Sequence, residues 1–183
     1  MKGMPRILYT TLLLIITAML LSCSREAEDI YSGEFIIDND LYVYGQYYYA
    51  IGFSFEEAEE LRTIDTPGPD ITVHAYTDAQ GAVSGAYLDT PNLVASFALA
   101  GDFPSAAEAK SFYDDLLTAD AYNLTLSADD ISENQVYVFR TRMDNYVKFW
   151  IKDMLLDDTD EGPYAEVTIE WQIQPGGSTT FSR

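Results

Sequence analysis

Cysteine and histidine, which support much of protein chemistry, occur once each in this chain, as Cys23 and His74. A single thiol excludes an intrachain disulfide, so the fold must depend on its hydrophobic core. Nucleophilic catalysis needs a base beside a serine, threonine or cysteine, and no Gly-x-Ser-x-Gly elbow is present. The nearest run, Gly52-Phe53-Ser54-Phe55-Glu56, lacks the last glycine. A zinc site would consist mainly of carboxylates, which suit zinc poorly. We therefore expect a non-enzymatic protein with no firmly implied cofactor or metal.

Cys23 ends an apolar stretch at the start of the chain. Residues 1–6 carry two basic residues and no acid, and residues 7–21 are aliphatic apart from one tyrosine and three threonines. This run is shorter than the ~20 residues that a membrane-spanning helix needs. It also ends in small residues rather than in a basic flank, which favours a cleaved export signal.

The run Leu20-Leu21-Ser22-Cys23 resembles a bacterial lipobox. The resemblance implies cleavage between Ser22 and Cys23, a diacylglycerol thioether on Cys23, and acylation of the new amino terminus, for example with palmitate. Several acyl chains hold a protein stably at a membrane, whereas one chain does so only marginally. The alternative is a plain secretory signal that happens to contain a cysteine.

The predicted organisation has three parts. Residues 1–22 form the signal peptide, residues 23–33 a lipidated cysteine with a short acidic tether, and residues 34–183 a single β-rich domain. The acids just after the cysteine resemble the surface-export signal of lipoproteins from Bacteroidota. We therefore expect an exported protein that is held by its lipid at the outer membrane or the cell surface.

The net charge of −20 restricts the possible partners. Removing the leader takes away basic residues only, so the mature chain is still more acidic. Such a protein repels phosphate backbones and anionic head groups, which argues against nucleic-acid binding and against electrostatic adhesion to membranes.

An acidic loop at residues 157–162 raises the question of calcium. An EF-hand beginning at Asp158 would place Ile169 at position twelve, where a bidentate glutamate belongs, so that motif is absent. An irregular calcium site shared with another loop and a solvated hairpin loop both stay open. Paired carboxylates for glycoside hydrolysis carry no weight, because thirty acids make some such pair unavoidable.

Tyrosines in residues 41–55 are candidates for ligand binding. Tyr42 and Tyr44 should share one strand face, as should Tyr47 and Tyr49. An exposed aromatic row could stack on sugars or flat ligands, whereas tyrosines in ordinary sheets pair across strands.

His74 lies in an alternating segment, on the face opposite Ile71 and Val73. As an axial haem ligand it would need a second ligand such as Met143, Met154 or a tyrosine, because two histidines are not available in one chain. The alternative is a surface or hydrogen-bonded histidine.

The clearest local structure is a helix at about 105–117, which Ser105 caps and Glu108 completes as a capping box. An apolar stripe at helical spacing should bury it against a sheet. The pattern of residues 56–61 is compatible with either one helical turn or the end of a strand.

The remaining pattern predicts about nine strands. They comprise a hairpin of 35–37 with 41–55, a meander of 71–76, 82–88 and 93–100, the strands 135–142, 146–156 and 163–173, and a short strand at 179–181.

Residues 136–181 resemble a β-hairpin region of HmuY-like haem-binding lipoproteins and their relatives of unknown function. The resemblance rests on Val138-Phe139-Arg140-Thr141-Arg142 followed by Tyr146-Val147-Lys148-Phe149, and on Val167-Thr168-Ile169-Glu170-Trp171 leading to Gln174-Pro175-Gly176-Gly177-Ser178. It implies a mostly β, lipid-anchored, surface-exposed protein, and we expect Arg142 and Lys148 to lie at solvated edges of the unit.

These observations predict a mostly β (α+β) fold, a two-layer antiparallel sandwich with one packed helix. The function that follows is a binding or structural domain on a lipid anchor. Two specific alternatives remain: capture of haem or a small ligand through His74, and recognition of a glycan or surface protein through Tyr42 and Tyr44.

Overall fold

The computed structural model describes residues 31–160 and 162–182, and in this part of the chain twelve strands and one helix form. The elements are β1 (Ser32–Asp38), β2 (Tyr42–Tyr44), β3 (Tyr47–Tyr49), β4 (Ile51–Ser54), β5 (Glu59–Arg62), β6 (Thr72–Thr77), β7 (Val83–Asp89), β8 (Phe97–Asp102), α1 (Ala106–Asp115), β9 (Ser127–Ala128), β10 (Gln135–Arg140), β11 (Tyr146–Thr159) and β12 (Gly162–Gln174). No helix among the described residues is both long and apolar enough to cross a membrane. The proposed signal peptide, including Ser22 and Cys23, lies outside the described residues. β1 begins at Ser32, inside the predicted tether.

Two antiparallel layers enclose the core, which confirms the predicted sandwich. One layer is a five-stranded sheet in the order β1-β12-β11-β10-β8, and the other contains the sheet β6-β7-β9. The hairpin β4–β5 extends the second layer through a bridge between Phe53 and Ile71. Strict alternation along β12 buries every second residue, from Ala165 to Ile173, because period-two side chains face the opposite layer.

Helix α1 packs on the outer face of the five-stranded sheet, as the sequence predicts. Ser105 caps it by accepting a hydrogen bond from the backbone N–H of Glu108 at 3.3 Å. Ala109 and Tyr113 bury against a second apolar cluster that β10 and β11 supply. The helix ends at Asp115, two residues before the predicted end.

Lys148 corrects the expectation of a solvated edge, because this residue is only 2% exposed. Its Nζ donates to the carbonyl oxygens of Tyr113 at 2.8 Å and Leu116 at 3.1 Å, at the carboxyl end of α1. A helix leaves its last carbonyls without intrahelical partners, and a cation there also complements the helix dipole. Burial lowers the pKa of Lys148. The lysine therefore joins β11 to the end of the helix.

Arg142 likewise lies in a polar network instead of at a solvated edge. Its guanidinium contacts Glu57 at 2.9 Å and the buried Asp70 at 3.4 Å. Asp70 also accepts hydrogen bonds from the backbone N–H of Phe55 at 2.9 Å and from the Ser54 hydroxyl at 3.3 Å. This network, which we call the Asp70 network, connects the β4–β5 turn, the loop before β6 and the β10–β11 turn.

Glu57 also closes the turn after β4. The Ser54 hydroxyl accepts from the backbone N–H of Glu57 at 3.4 Å and contacts its carboxylate in return. The strand β5 then begins at Glu59. Both predicted alternatives for residues 56–61 therefore hold in part, since a capped turn leads into a strand.

Three predicted strand arrangements are wrong. β1 pairs with β12 instead of with residues 41–55, which divide into three strands. The third strand of the predicted meander, β8, leaves β6 and β7 and pairs with β10, while the short β9 pairs with β7 in its place. Residues 179–181 form no strand; they make an isolated bridge between Thr118 and Thr180, and Phe181 is buried in the second apolar cluster. Each error concerns pairing between segments distant in sequence, which local patterns do not specify.

The predicted acidic loop is also shorter than expected. β11 continues to Thr159 and β12 starts at Gly162, so Asp157 and Asp158 belong to a strand. Asp158 accepts a hydrogen bond from the backbone N–H of Val83 at 2.8 Å. Its carboxylate therefore joins the tip of the β11–β12 hairpin to the start of β7.

Candidate functional site

The predicted tyrosine segment forms a separate hairpin of β2 and β3, which we call the tyrosine hairpin (residues 41–49). Gly45 has a φ of +65° at the first of two turn residues, where a tight hairpin favours glycine. Tyr42 and Tyr44 share a face, as do Tyr47 and Tyr49, as predicted. The register pairs Tyr42 with Tyr49 and Tyr44 with Tyr47, so the two pairs lie on the same face of the hairpin, which was not predicted. Neither strand pairs with a further strand in the described chain.

An arginine covers part of this four-tyrosine face. The rings of Tyr42 and Tyr49 stack with centroids 5.6 Å apart, and the Arg62 guanidinium lies 5.7 Å from the rings of both Tyr44 and Tyr49. Arg62 is held by Asp65, with 2.7 Å between Nη2 and Oδ1. The fixed guanidinium anchors one face of the hairpin on the end of β5.

The opposite face of the hairpin is apolar and exposed. It carries Leu41, Val43 and Tyr48, whose exposed fractions are 68%, 62% and 72%. No ring stacking or cation–π contact covers Tyr48 in the described structure, unlike the paired tyrosines behind it. Residues 41–49 contain no charged residue, a signal that could have marked the hairpin as a surface of its own. The sequence predicted a ligand site only on the tyrosine face, and the apolar face of Leu41, Val43 and Tyr48 and the contact with Arg62 were not singled out.

The base of the hairpin borders an acidic cleft, to which the predicted acidic loop (residues 157–162) contributes. Two adjoining cavities of about 260 and 420 Å³ share Asp40, Thr159 and Tyr164. The smaller one is also lined by Leu41, and the larger one by Leu155, Asp157 and Asp160. The sequence marks only the acidic residues of the β11–β12 hairpin, because the cleft forms where the β1–β2 connection meets the tip of that distant hairpin.

Hydrogen bonds fix the walls of the cleft. Asn39 donates from its side chain to the carbonyl of Pro163 at 2.9 Å, and its side-chain oxygen accepts from the backbone N–H of Ala165 at 2.6 Å. The Tyr164 hydroxyl donates to Glu166 at 2.9 Å. Burial, this carboxylate, and the charges of Asp38 and Asp40 all raise the pKa of Tyr164. The cleft is therefore ordered and strongly negative.

His74 does not lie with Tyr42 and Tyr44. No hydrogen bond or ring contact joins it to them in the described structure, and its ring stacks on Tyr87 at 4.9 Å, which in turn stacks on Tyr76 at 4.8 Å. The His74 Nε2 lies 3.1 Å from the Thr72 hydroxyl. Burial lowers the pKa of His74, and the nearby Asp89 partly offsets this effect. The alternative of a hydrogen-bonded histidine is confirmed.

The geometry offers little to a haem group at this position. One ring nitrogen of His74 is hydrogen-bonded, and one ring face is stacked on Tyr87. Of the methionines that could complete the ligand pair, Met143 is exposed in the β10–β11 turn and Met154 packs against the core. His74 therefore lies in an aromatic surface row on β6 and β7.

Two further observations bear on metals and carboxylate chemistry. In residues 31–160 and 162–182, no group of three or more His, Cys, Asp or Glu residues is placed to hold a metal ion. A cavity of about 600 Å³ beside α1 contains the cross-strand pair Glu34 and Glu170. Lys152 contacts both of these carboxylates, and Lys110 contacts Glu170 at 3.6 Å. Each carboxylate thus has a cationic partner.

Comparison of the chain with protein-family models, with curated proteins and with solved structures gave no match.

Proposed function

We propose that this chain is an exported, lipid-anchored surface protein without catalytic activity, and that its tyrosine hairpin binds a macromolecular partner. The observation that carries the proposal is the exposed face of Leu41, Val43 and Tyr48 on a hairpin that pairs with no further strand among the described residues. Contiguous exposed apolar surface marks interaction sites in folded proteins. The lipobox-like run ending at Cys23 supports the anchor.

A polypeptide suits this hairpin better than a glycan does. Sugars stack on open aromatic faces, but Tyr42 and Tyr49 stack on each other, and Arg62 covers Tyr44 and Tyr49. The open side instead combines two aliphatic residues with one tyrosine. Tyrosine and arginine are enriched at protein interfaces, and aliphatic side chains provide the apolar contact area.

The position of the hairpin also favours a binding role. The chain enters the described domain at the start of β1, and the hairpin follows the end of that strand. The seven residues of β1 therefore separate the hairpin from the point where the tether joins. The hairpin thus lies at the opposite end of β1 from the residue where the described chain begins.

Site-specific photo-cross-linking tests the proposal. A photoreactive phenylalanine replaces Tyr48 in cells that export the protein, and a matched probe replaces Leu93, which is exposed on a loop. We expect a discrete adduct from position 48 that position 93 does not give, and mass spectrometry identifies it as a polypeptide. An adduct to a glycan would reject the polypeptide partner, and an adduct to a second copy of this chain would reject a partner that is a different protein. Equal labelling from both positions, or none, would reject the hairpin as a binding surface.

A further inference from the structure

The cavity of about 600 Å³ beside α1 lies over two paired strands of the five-stranded sheet, β1 and β12. Four polar residues of these strands line it: Ser32, Gln172, Glu34 and Glu170. They form two cross-strand pairs, one on each side of the pair Gly33 and Trp171. Trp171 belongs to the core between the layers, so by strand alternation the four polar side chains point to the outer face, where α1 packs.

The wall of this cavity carries a hydroxyl group without a partner. Tyr113, in α1, lines the cavity and is only 5% exposed. Its hydroxyl makes no hydrogen bond to a described residue. In the described chain, Trp150 Nε1 is the only buried side-chain N or O atom that is both sealed from solvent and unpartnered, so the Tyr113 hydroxyl opens into the cavity that it lines. A hydroxyl donates one hydrogen bond and accepts two, and all of this capacity is available to a ligand.

Cations lie against the ring of Tyr113. Lys148 Nζ is 4.8 Å and Lys110 Nζ is 5.4 Å from its centroid. Both ammonium groups are held in place, Lys148 by the carbonyls at the end of α1 and Lys110 by Asp114 and Glu170. The hydroxyl, rather than the ring, is therefore the part of Tyr113 that is left to recognise a ligand.

The charged groups of the cavity are balanced. Lys152 contacts both Glu34 and Glu170, and Lys110 contacts Glu170 at 3.6 Å. A charged ligand would replace one of these ion pairs with another, so its own charge would add little affinity. Neutral hydroxyl groups would keep the ion pairs and bond to the carboxylate lone pairs that the lysines leave free, because an ionised carboxylate has about four acceptor sites.

We propose that this cavity binds a neutral saccharide. A saccharide carries adjacent hydroxyl groups, each of which both donates and accepts, and this matches a mixed lining. Tyr113 and Ser32 offer hydroxyls, Glu34 and Glu170 accept, and Gln172 donates through Nε2 to the C-terminal segment at 2.9 Å, which leaves its side-chain oxygen as an acceptor. The volume lies within the range of small-molecule sites. The inference goes beyond the proposed function, because no residue of the tyrosine hairpin lines this cavity.

The test uses the full-length, host-processed protein in a polyoxyethylene detergent, which contains no sugar. Saturation-transfer NMR measures the binding of D-glucose, D-galactose, D-mannose and cellobiose, each up to about 50 mM because small neutral ligands bind weakly. Tyr113→Phe removes only the hydroxyl, and its control is Tyr122→Phe, which packs on the same apolar cluster without lining the cavity. Ser32→Phe fills the cavity, and its control is Ser84→Phe on an exposed position of β7.

We expect saturable binding of at least one sugar, about two- to tenfold weaker binding by Tyr113→Phe, and loss of binding in Ser32→Phe. Both controls should bind like the wild type. Tyr113→Phe should also keep the wild-type urea midpoint, because its hydroxyl has no partner in the protein. Raising the salt concentration from about 50 to about 500 mM should leave the affinity unchanged, because the ligand is neutral.

Three results would overturn the inference: no saturable binding of any of the four sugars, equal weakening by Tyr113→Phe and Tyr122→Phe, or displacement of the sugar by glycine or inorganic phosphate. The last result would identify a site for charged ligands instead. Cross-linking from position 48 does not involve this cavity, so the proposed function is judged separately.

Discussion

Asp70 should make the stability of this domain depend on pH in the weakly acidic range. Its side chain is fully buried, and burial raises the pKa of its carboxyl group from 3.8 to about 6, although Arg142 opposes the rise. Between these two values the folded state holds a proton that the unfolded chain has released. Stability therefore falls as the pH rises through this window.

The size of the effect follows from the two pKa values. Between about pH 5 and about pH 8, the free energy of unfolding should fall by about 1.4 kcal/mol through Asp70 alone. Two neighbouring effects do not obscure it. Hydrogen bonds from Ser54 and Arg142 outweigh burial and hold the pKa of Glu57 below its usual value, so Glu57 is ionised throughout this range. Burial lowers the pKa of His74, so the contribution of His74 to stability rises with pH. Its contribution is the same with and without Asp70.

Urea unfolding of the wild type and of Asp70→Asn across this pH range measures the effect. The range lies above the isoelectric point of about 4.1, where loss of net charge would promote association. We expect the wild type to lose about 1.4 kcal/mol more than Asp70→Asn, and the exposed control Asp115→Asn to follow the wild type. Parallel pH profiles for the wild type and Asp70→Asn would refute the assignment of a raised pKa to this carboxyl.

Three further predictions concern Lys148, Cys23 and His74. Lys148→Met should lower the free energy of unfolding by about 2–4 kcal/mol, because it leaves two helix-end carbonyls without their donor. Lys152→Met, which removes a surface ion pair, should cost less than about 1 kcal/mol in the same urea titration; equal losses would contradict the capping role. Cys23→Ala should accumulate unprocessed precursor without acyl label, and normal processing with labelling would reject the lipid anchor. A haemin titration should give no saturable Soret shift that depends on His74, since Tyr87 and Thr72 occupy that ring; a shift that His74→Ala abolishes would restore the haem hypothesis.

The parts of the fold that the sequence predicts are those that short segments determine. The helix is evident because the Ser105 side chain accepts from the backbone N–H of Glu108 and an apolar stripe follows. The alternation of apolar and polar residues in β12 likewise lies within one short segment, and it predicts a strand. The shared face of Tyr42 and Tyr44 also follows from strand periodicity alone.

The missed features depend on contacts between distant segments. The sequence of β1 is equally compatible with pairing to the residues that follow it. Its pairing with β12 depends on how the two layers pack around the core, which local sequence does not show. Lys148 resembles any basic residue on a strand, and its burial is explained by the end of a helix more than thirty residues earlier. The acidic cleft arises likewise where Asp40 meets the tip of β11 and β12.

The pairing of β1 with β12 has a consequence for the timing of folding. The first strand of the domain finds its ladder partner only when the last strand is present, so the five-stranded sheet is incomplete until nearly the whole chain has emerged. Such non-local closure slows folding. This delay fits the export that we propose, because a chain that stays unfolded through synthesis remains competent for translocation and completes its sheet on the far side.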